Sequence, residues 1–151
     1  MINIGWEVFI AEACTRLLWD GAHTSYTIKG FPKNEAEWEA SYQEQVDVVD
    51  GINIMSADKS KWTLKWVDIE AKAKELVNVV PLEQLRHQRA NLLEQCDWVV
   101  TRATDTSTPI PTEWKNYRQA LRDITSTITD AATRQAMAND FKHSSWPTKP
   151  S

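Results

Sequence analysis

The sequence has little of what most catalytic sites and membrane segments require. Its 151 residues include only four glycines, and neither a phosphate-binding loop nor a dinucleotide-binding fingerprint is present, which argues against nucleotide enzymes. No apolar run approaches the roughly 20 residues that cross a bilayer, and residues 1–14 lack the basic start and cleavage site of a signal peptide. We therefore expect a soluble protein that is cytoplasmic when made and makes no contact with a membrane.

Histidine and cysteine are equally scarce. His23, His87 and His143 have no second histidine or acid at ligand spacing, so the zinc-binding pattern H-E-x-x-H does not occur. Cys14 and Cys96 form neither a zinc motif nor a nucleophile motif, and free cysteines of this kind are usually small buried hydrophobes. We predict no metal, no cofactor and no catalytic residue.

Acidic pairs also fail to suggest an enzyme. A cell-wall hydrolase needs two carboxyl groups held in one cleft. Acidic pairs in this sequence, such as Glu35 with Glu37 and Asp47 with Asp50, fall on positions predicted to be exposed on a helix. Solvated charge is the expected role of such residues, so we predict that the protein is not an enzyme.

Positive charge is not concentrated anywhere in the chain. The net charge is −4, and residues 1–50 carry three basic residues against nine acids, whereas residues 81–124 carry six of each. Binding to a nucleic-acid backbone depends on clustered lysine and arginine. We therefore expect no nucleic acid among the partners.

Tryptophan is the residue that the sequence has in excess, with eight copies. Each indole can bury about 200 Å² and carries an N–H group that needs a hydrogen-bond partner, so tryptophans serve cores and interfaces equally well. Hydrophobic content of 42% and charged content of 25% are ordinary values for a folded protein. The chain is long enough for one domain, or for a domain with an appended helical module.

The N-terminal half is predicted to mix helix and strand. Helical spacing of apolar residues predicts a helix from Gly5 to Asp20, where Asp20-Gly21 gives either a helix stop or a hairpin turn. Residues 24–31 alternate and favour one or two short strands. Asn34 begins a second helix with Glu37 as its capping-box partner. The apolar face of this helix is predicted to continue through Trp38, Tyr42, Gln45, Val46 and Val49 to a C-terminal cap at Gly51, and residues 52–61 read as a strand or loop.

The C-terminal half is predicted to be helical. Three stripes follow alternating spacings of three and four residues, the spacing of one helix face. They comprise Trp66, Ile69, Ala73, Leu76 and Val80; then Leu82, Leu85, Arg89, Leu92 and Cys96; then Trp114, Tyr117, Leu121 and Ile124. Pro81 is expected to end the first helix or open the second.

Threonine and proline predict a loop over residues 97–112, so that the second and third stripes form an αα-hairpin. A short helix is expected within residues 126–142, and the proline-rich end from Trp146 is expected to be extended. The predicted fold class is mainly α: a small helical protein with a C-terminal αα-hairpin module and a short β-hairpin in its N-terminal half.

Three parts of the sequence occur in the order of a known module. Residues 85–98 (LRHQRANLLEQCDW) resemble a helix-closing string that is frequent in phage tail proteins, and residues 114–124 (WKNYRQALRDI) are similar to its second half. The ending Trp146-Pro147-Thr148-Lys149-Pro150 matches a third element. On these residues the chain resembles the phage tail assembly chaperone-like family, over residues 62–124 and the last six.

The resemblance implies a non-enzymatic protein that binds a phage tail or tail-fibre subunit and assists its assembly in the cytoplasm of the bacterial host. An alternative is a permanent virion component, such as a tail, fibre or baseplate adaptor, that docks through the same module and is retained in the virion tail. The expected organisation is a partner-specific region over residues 1–61 and the module over residues 62–151. The helical stripes also permit self-association.

Arginine and aromatic residues of the module are the candidate partner-binding residues, because these types are enriched at binding hot spots. They are Arg86, Arg89, Trp98, Trp114, Tyr117, Arg118, Arg122 and Trp146. Packing and salt links within the module are the other reading of the same residues.

Three local contacts are also expected within the module. Arg89 is expected to keep its head in water. Asp97 is expected to accept hydrogen bonds from backbone N–H groups, with Trp98 folded over Leu92 or Leu93. Asp123 lies near enough to Arg118 and Arg122 to pair with them.

Overall fold

A computed structural model describes residues 5–19 and 25–151 of the chain. The described residues divide into two compact units, one ending at Val77 and the other beginning at Asn78. Helices predominate, and a three-stranded antiparallel sheet lies in the N-terminal half. The predicted fold class, mainly α with a C-terminal helix pair and a small β element, is confirmed.

The first unit opens with the predicted helix. A 3-10 turn, Trp6–Phe9, leads into α1, Ile10–Leu18. The helical spacing of the apolar residues is confirmed, because Ile10, Ala13, Cys14 and Leu18 are all buried. Burial raises the pKa of the Cys14 thiol to about 12, which fits a structural and unreactive cysteine. The predicted stop or turn at Asp20-Gly21 lies outside the described residues.

The next elements confirm a strand and a capping box. Strand β1, Tyr26–Ile28, lies within the predicted segment 24–31, and α2, Glu35–Ser41, follows it. Asn34 Oδ1 accepts from the Glu37 backbone N–H at 3.0 Å, and Glu37 Oε2 accepts from the Lys33 backbone N–H at 2.9 Å. Two N–H groups at the helix start are thereby satisfied.

The prediction that this helix continues to Gly51 is wrong. The chain leaves α2 at Ser41 and forms β2, Tyr42–Val49, which turns into β3, Ile52–Ser56. The β-branched valines of β2 favour strand over helix. Asp50 and Gly51 both have positive φ, at 53° and 79°, as a two-residue hairpin turn of the mirror-image type requires. Gly51 is therefore a turn residue and not a helix cap.

The sheet has the order β1-β2-β3, with both pairs antiparallel. Register places Ile28 opposite Tyr42 and Val49 opposite Ile52, with a shift between Gln45 and Asp47. A 3-10 turn, Lys59–Lys61, follows β3. The sheet carries inward-facing Tyr42 into the aromatic core of this unit.

This aromatic core surrounds a buried carboxylate. The ring of Trp38 lies 4.8 Å from that of Tyr42 and 5.0 Å from that of Trp62, centroid to centroid. Glu44 is 1% exposed, and its carboxylate accepts from the Tyr42 hydroxyl at 2.8 Å and from the Thr63 N–H at 2.7 Å. Burial, together with the Glu44 carboxylate, raises the pKa of Tyr42. The buried carboxylate oxygens of Glu44 thus have hydrogen-bond donors within the first unit, which offset the cost of burying them.

Helix α3, Trp66–Glu94, is continuous and contains Pro81, so the prediction of a helix boundary there is wrong. Pro81 is fully buried, as are Leu76 and Leu85 on either side of it. Burial of the apolar stripe outweighs the missing hydrogen bond of one proline, since tertiary packing supplies most helical stability in proteins.

The segment predicted as a loop contains α4, Trp98–Asp105, and only its end lacks regular structure. Val99 is buried on one side of this helix. The hydroxyls of Thr104 and Thr106 donate to the carbonyl oxygens four residues back, at 3.0 and 2.7 Å. Threonines whose hydroxyls form such hydrogen bonds within the helix are compatible with a short helix. The prediction of a loop from threonine and proline content was therefore wrong for residues 98–105.

Helix α5, Thr112–Thr127, confirms the third stripe. Its four members are buried: Trp114, Tyr117, Leu121 and Ile124. Helix α6, Ala131–Asn139, lies within the predicted segment and buries Met137, whereas Phe141 beyond it is half exposed. Met137 and the four buried residues of α5 share one core with Leu85, Cys96 and Trp146. Cys96 is therefore also a buried free cysteine, as predicted.

Candidate functional site

Helix α5 separates two kinds of side chain. The buried stripe holds the helix on the core of the second unit, and the opposite face presents Lys115, Gln119 and Arg122 to solvent. This division follows from the sequence, because residues three and four apart share one helix face. The helix therefore anchors a polar, positively charged face at a fixed position on this unit.

Arg118 is buried at the edge of that face, with 8% of its surface exposed. Its Nη1 lies 2.9 Å from Asp97 Oδ1, 3.1 Å from Cys96 Sγ and 3.3 Å from the Leu93 carbonyl oxygen. Burial lowers the pKa of the guanidinium, but the bonds to Asp97 and Cys96 outweigh burial and raise it. Arg118 thus ties α5 to the chain between α3 and α4.

The acids of this region have partners other than those predicted. The Asp97 side chain makes no capping bond to the start of α4 and instead pairs with Arg118. Asp123 accepts from Gln119 Nε2 at 3.0 Å, one turn away on its own helix, and not from Arg118. The expectation for Asp97 failed because the buried guanidinium of Arg118 binds its carboxylate. The expectation for Asp123 failed because Gln119, four residues earlier on the same helix, donates to its carboxylate.

Trp98 is the most exposed of the predicted aromatic residues, at 50%. Its ring meets that of Trp114 edge to face at 5.5 Å, and Trp114 in turn meets Tyr117 at 6.0 Å. A cleft of about 350 Å³ lies beside it, and its lining includes Trp98, Trp114, Pro109 and Pro111, the cation Arg102 and the acid Glu113. We call this the Trp98 cleft. It combines a supported aromatic ring with a cation, as binding hot spots do.

A second depression, the basic groove, lies between α4 and α5. Its volume is about 570 Å³, and its lining comprises Val100, Ile110, Lys115, Asn116, Arg118, Gln119 and Arg122. Three of these residues are cationic and none is acidic. Arg118 is paired with Asp97, whereas Lys115 and Arg122 make no ion pair with any residue that the structure describes. The groove therefore offers apolar walls and two cations, Lys115 and Arg122, that have no ion-pair partner among the described residues.

The remaining predicted residues are not brought together by these contacts. Arg86 is exposed on α3. Arg89 is half-buried, and its Nε atom is buried without a hydrogen-bond partner among the described residues, so this atom of its head does not lie in water. Trp146 is buried, and its Nε1 donates to the carbonyl oxygens of Met137 and Asp140 at 3.1 and 3.2 Å. The ending from Trp146 has no regular secondary structure.

Several site features could not have been selected by residue type alone. Val100 and Ile110 belong to a segment that was predicted to be a loop, so their place in a groove could not be foreseen. Lys115 does carry a readable signal, because it precedes Arg118 and Arg122 at spacings of three and seven on α5.

The described residues carry neither a metal site nor a membrane-spanning helix. Within residues 5–19 and 25–151, no group of three histidine, cysteine or acidic side chains could hold a metal ion. No helix in the same ranges is long and apolar enough to cross a bilayer. What the site offers is surface for contact: an exposed indole, a cleft and a basic groove.

Part of this unit is similar to a known family. Residues 82–151 match the family model described as phage tail assembly chaperone protein. The matched range contains α4, α5, α6 and both depressions, and it confirms the family resemblance drawn from the sequence. No curated protein and no solved structure matches the chain.

Proposed function

We propose that this chain is a non-enzymatic tail assembly chaperone that binds a phage tail or tail-fibre subunit through its second unit. The premise is the family match over residues 82–151. The proposed place of action is the cytoplasm of the bacterial host during particle assembly.

The observation that carries the binding proposal is the half-exposed Trp98. A large aromatic side chain left in water gives up favourable burial, so its exposure is expected where a partner later covers it. Trp114 supports the ring from below, so that little conformational freedom is lost on binding. Arg102 in the same cleft adds a donor for carbonyl or carboxylate groups of the partner.

The candidate residues divide into two roles under this proposal. Exposed Arg86, Trp98 and Arg122 touch the partner directly. The buried and half-buried members hold those residues in place: Arg89, Trp114, Tyr117, Arg118 and Trp146.

Co-expression with the tail-fibre subunit of the same phage tests the proposal. Soluble, assembled fibre is expected only when this chain is present, and Trp98→Ala should abolish most of that gain. Phe141→Ala is the matched control, because Phe141 is a comparably exposed aromatic of the same unit that does not line the cleft. Equal fibre yield with and without the chain, or equal loss in both variants, would contradict the proposal.

Mass spectrometry of purified virions then separates the chaperone from the permanent virion component. A transient chaperone is expected to be missing from mature particles. A stoichiometric amount of this chain in them would favour the tail, fibre or baseplate adaptor instead.

A further inference from the structure

The hairpin formed by β2 and β3 extends beyond the three-stranded part of the sheet. Strand β1 pairs with β2 only over Tyr42–Glu44, so residues 46–54 form a two-stranded arm in the part of the chain that the structure describes. We call these residues the arm. A two-stranded ribbon without further cover is only marginally stable in water.

The arm exposes several apolar side chains to solvent. Five branched aliphatic side chains are between 37% and 66% exposed. They are Val46, Val48, Val49, Ile52 and Ile54. The register places Val49, Ile52 and Ile54 on one face of the hairpin and Val48 on the other. Exposed apolar side chains on a strand pair are an aggregation hazard unless another surface covers them, which marks the arm as an interaction element.

Charge indicates what kind of surface covers it. The arm carries Asp47 and Asp50, and no lysine or arginine occurs between Tyr42 and Ser56. Two arms packed against each other would place these carboxylates close together, which is unfavourable. The complementary surface must be apolar and positively charged.

The chain itself has a surface of that description. The basic groove has apolar walls in Val100 and Ile110 and free cations in Lys115 and Arg122. We propose that the arm of one copy docks in the basic groove of a second copy. This inference goes beyond the proposed function, because it concerns contact between copies of this chain and needs no tail subunit.

Sedimentation velocity of the full chain, alone and over a range of concentrations and salt, tests the proposal. The wild type is expected to self-associate, and added salt should weaken the association because the contact pairs charges. The arm variant is Asp47→Lys with Asp50→Asn, in which asparagine retains tolerance of the positive φ at position 50. The groove variant is Lys115→Glu with Arg122→Glu.

Each variant alone should associate about tenfold more weakly or not at all, since like charges then face each other. An equimolar mixture of the two variants should regain association, because the basic arm of one faces the acidic groove of the other. Gln43→Lys, on the paired part of β2, and Lys142→Glu, outside the groove, are the charge controls and should behave as wild type.

Three results would overturn the proposal. They are a wild type that stays monomeric at every concentration, variants that associate as well as wild type, and a mixture that does not recover although circular dichroism shows both variants folded. None of these results bears on fibre assembly, so failure here is distinguishable from failure of the proposed function.

Discussion

Among the residues that the structure describes, each of the two units buries one charged side chain, and the surroundings of the two charges differ. Glu44 in the first unit is 1% exposed, and both of its carboxylate oxygens accept hydrogen bonds from the Tyr42 hydroxyl and from backbone N–H groups. Arg118 in the second unit pairs with Asp97, whose side chain is 62% exposed, and Arg118 also lines the basic groove. A fully buried charge whose hydrogen bonds are all internal stabilises a core, whereas a charged side chain at the edge of a core also lines a surface that a partner can reach.

The comparison predicts that removing Glu44 has the larger cost. Glu44→Ala leaves the Tyr42 hydroxyl and the Thr63 and Leu64 N–H groups without their acceptor inside the aromatic core. We expect a loss of about 3–5 kcal/mol in the free energy of unfolding, since each buried unsatisfied group costs about 1–3 kcal/mol. Urea titration followed by tryptophan fluorescence measures it.

Gln43→Ala is the control on the same strand, because Gln43 is exposed. It should change stability by no more than about 0.5 kcal/mol. If Glu44→Ala were equally harmless, the buried carboxylate would not hold this core, and the contrast with Arg118 would disappear.

Arg118→Met is expected to cost less, about 2–3 kcal/mol. The substitution keeps an apolar stem in the core and removes the hydrogen bonds of a charged group, which are worth about 1.5–3 kcal/mol, while Asp97 remains solvated. Arg122→Met is the matched control on the same helix. Because Arg122 is exposed, its loss should leave the denaturation midpoint within about 0.5 kcal/mol of wild type.

The two arginine variants sharpen the division between structural and surface roles. Equal loss of stability in both would mean that Arg122 also supports the core. No loss in either would mean that the contacts of Arg118 are offset by the cost of burying its charge.

Sequence patterns sufficed where one local signal was consistent with the whole fold. The stripe of α5 combines tryptophan, tyrosine, leucine and isoleucine at helical spacing, and all four side chains are buried. The box of Asn34 and Glu37 likewise needs only neighbouring residues. The family resemblance depended on similarly local strings of residues.

Failure came where two patterns overlap. Trp38, Tyr42, Val46 and Val49 fit a helix face, but the valines also favour a strand. Asp50-Gly51 between valine and isoleucine is a strong hairpin signal that was interpreted as a helix cap.

The pairing of Arg118 with Asp97 was out of reach for a different reason. These residues are far apart in sequence, and their contact depends on α4 forming in a segment whose threonines and prolines predict a loop. Local propensity contains no information about which distant carboxylate a buried guanidinium meets. The groove that Arg118 helps to line was therefore also invisible in the sequence.

The smallest expected effect concerns α3, the helix that contributes residues to both units. Pro81→Ala restores a helical N–H and removes the clash of the ring with the preceding turn, which in a helix interior is worth about 3 kcal/mol. Against this gain, the buried ring loses about two methylene groups at roughly 0.8 kcal/mol each, with a further cost for the cavity left behind. The balance is a net stabilisation of about 1 kcal/mol, measurable as a higher denaturant midpoint with an unchanged slope. A loss of about 1 kcal/mol would instead mean that burial of the proline ring stabilises the fold by more than the missing hydrogen bond and the steric clash destabilise it. In that case, α3 continues through Pro81 because the ring is packed in the core.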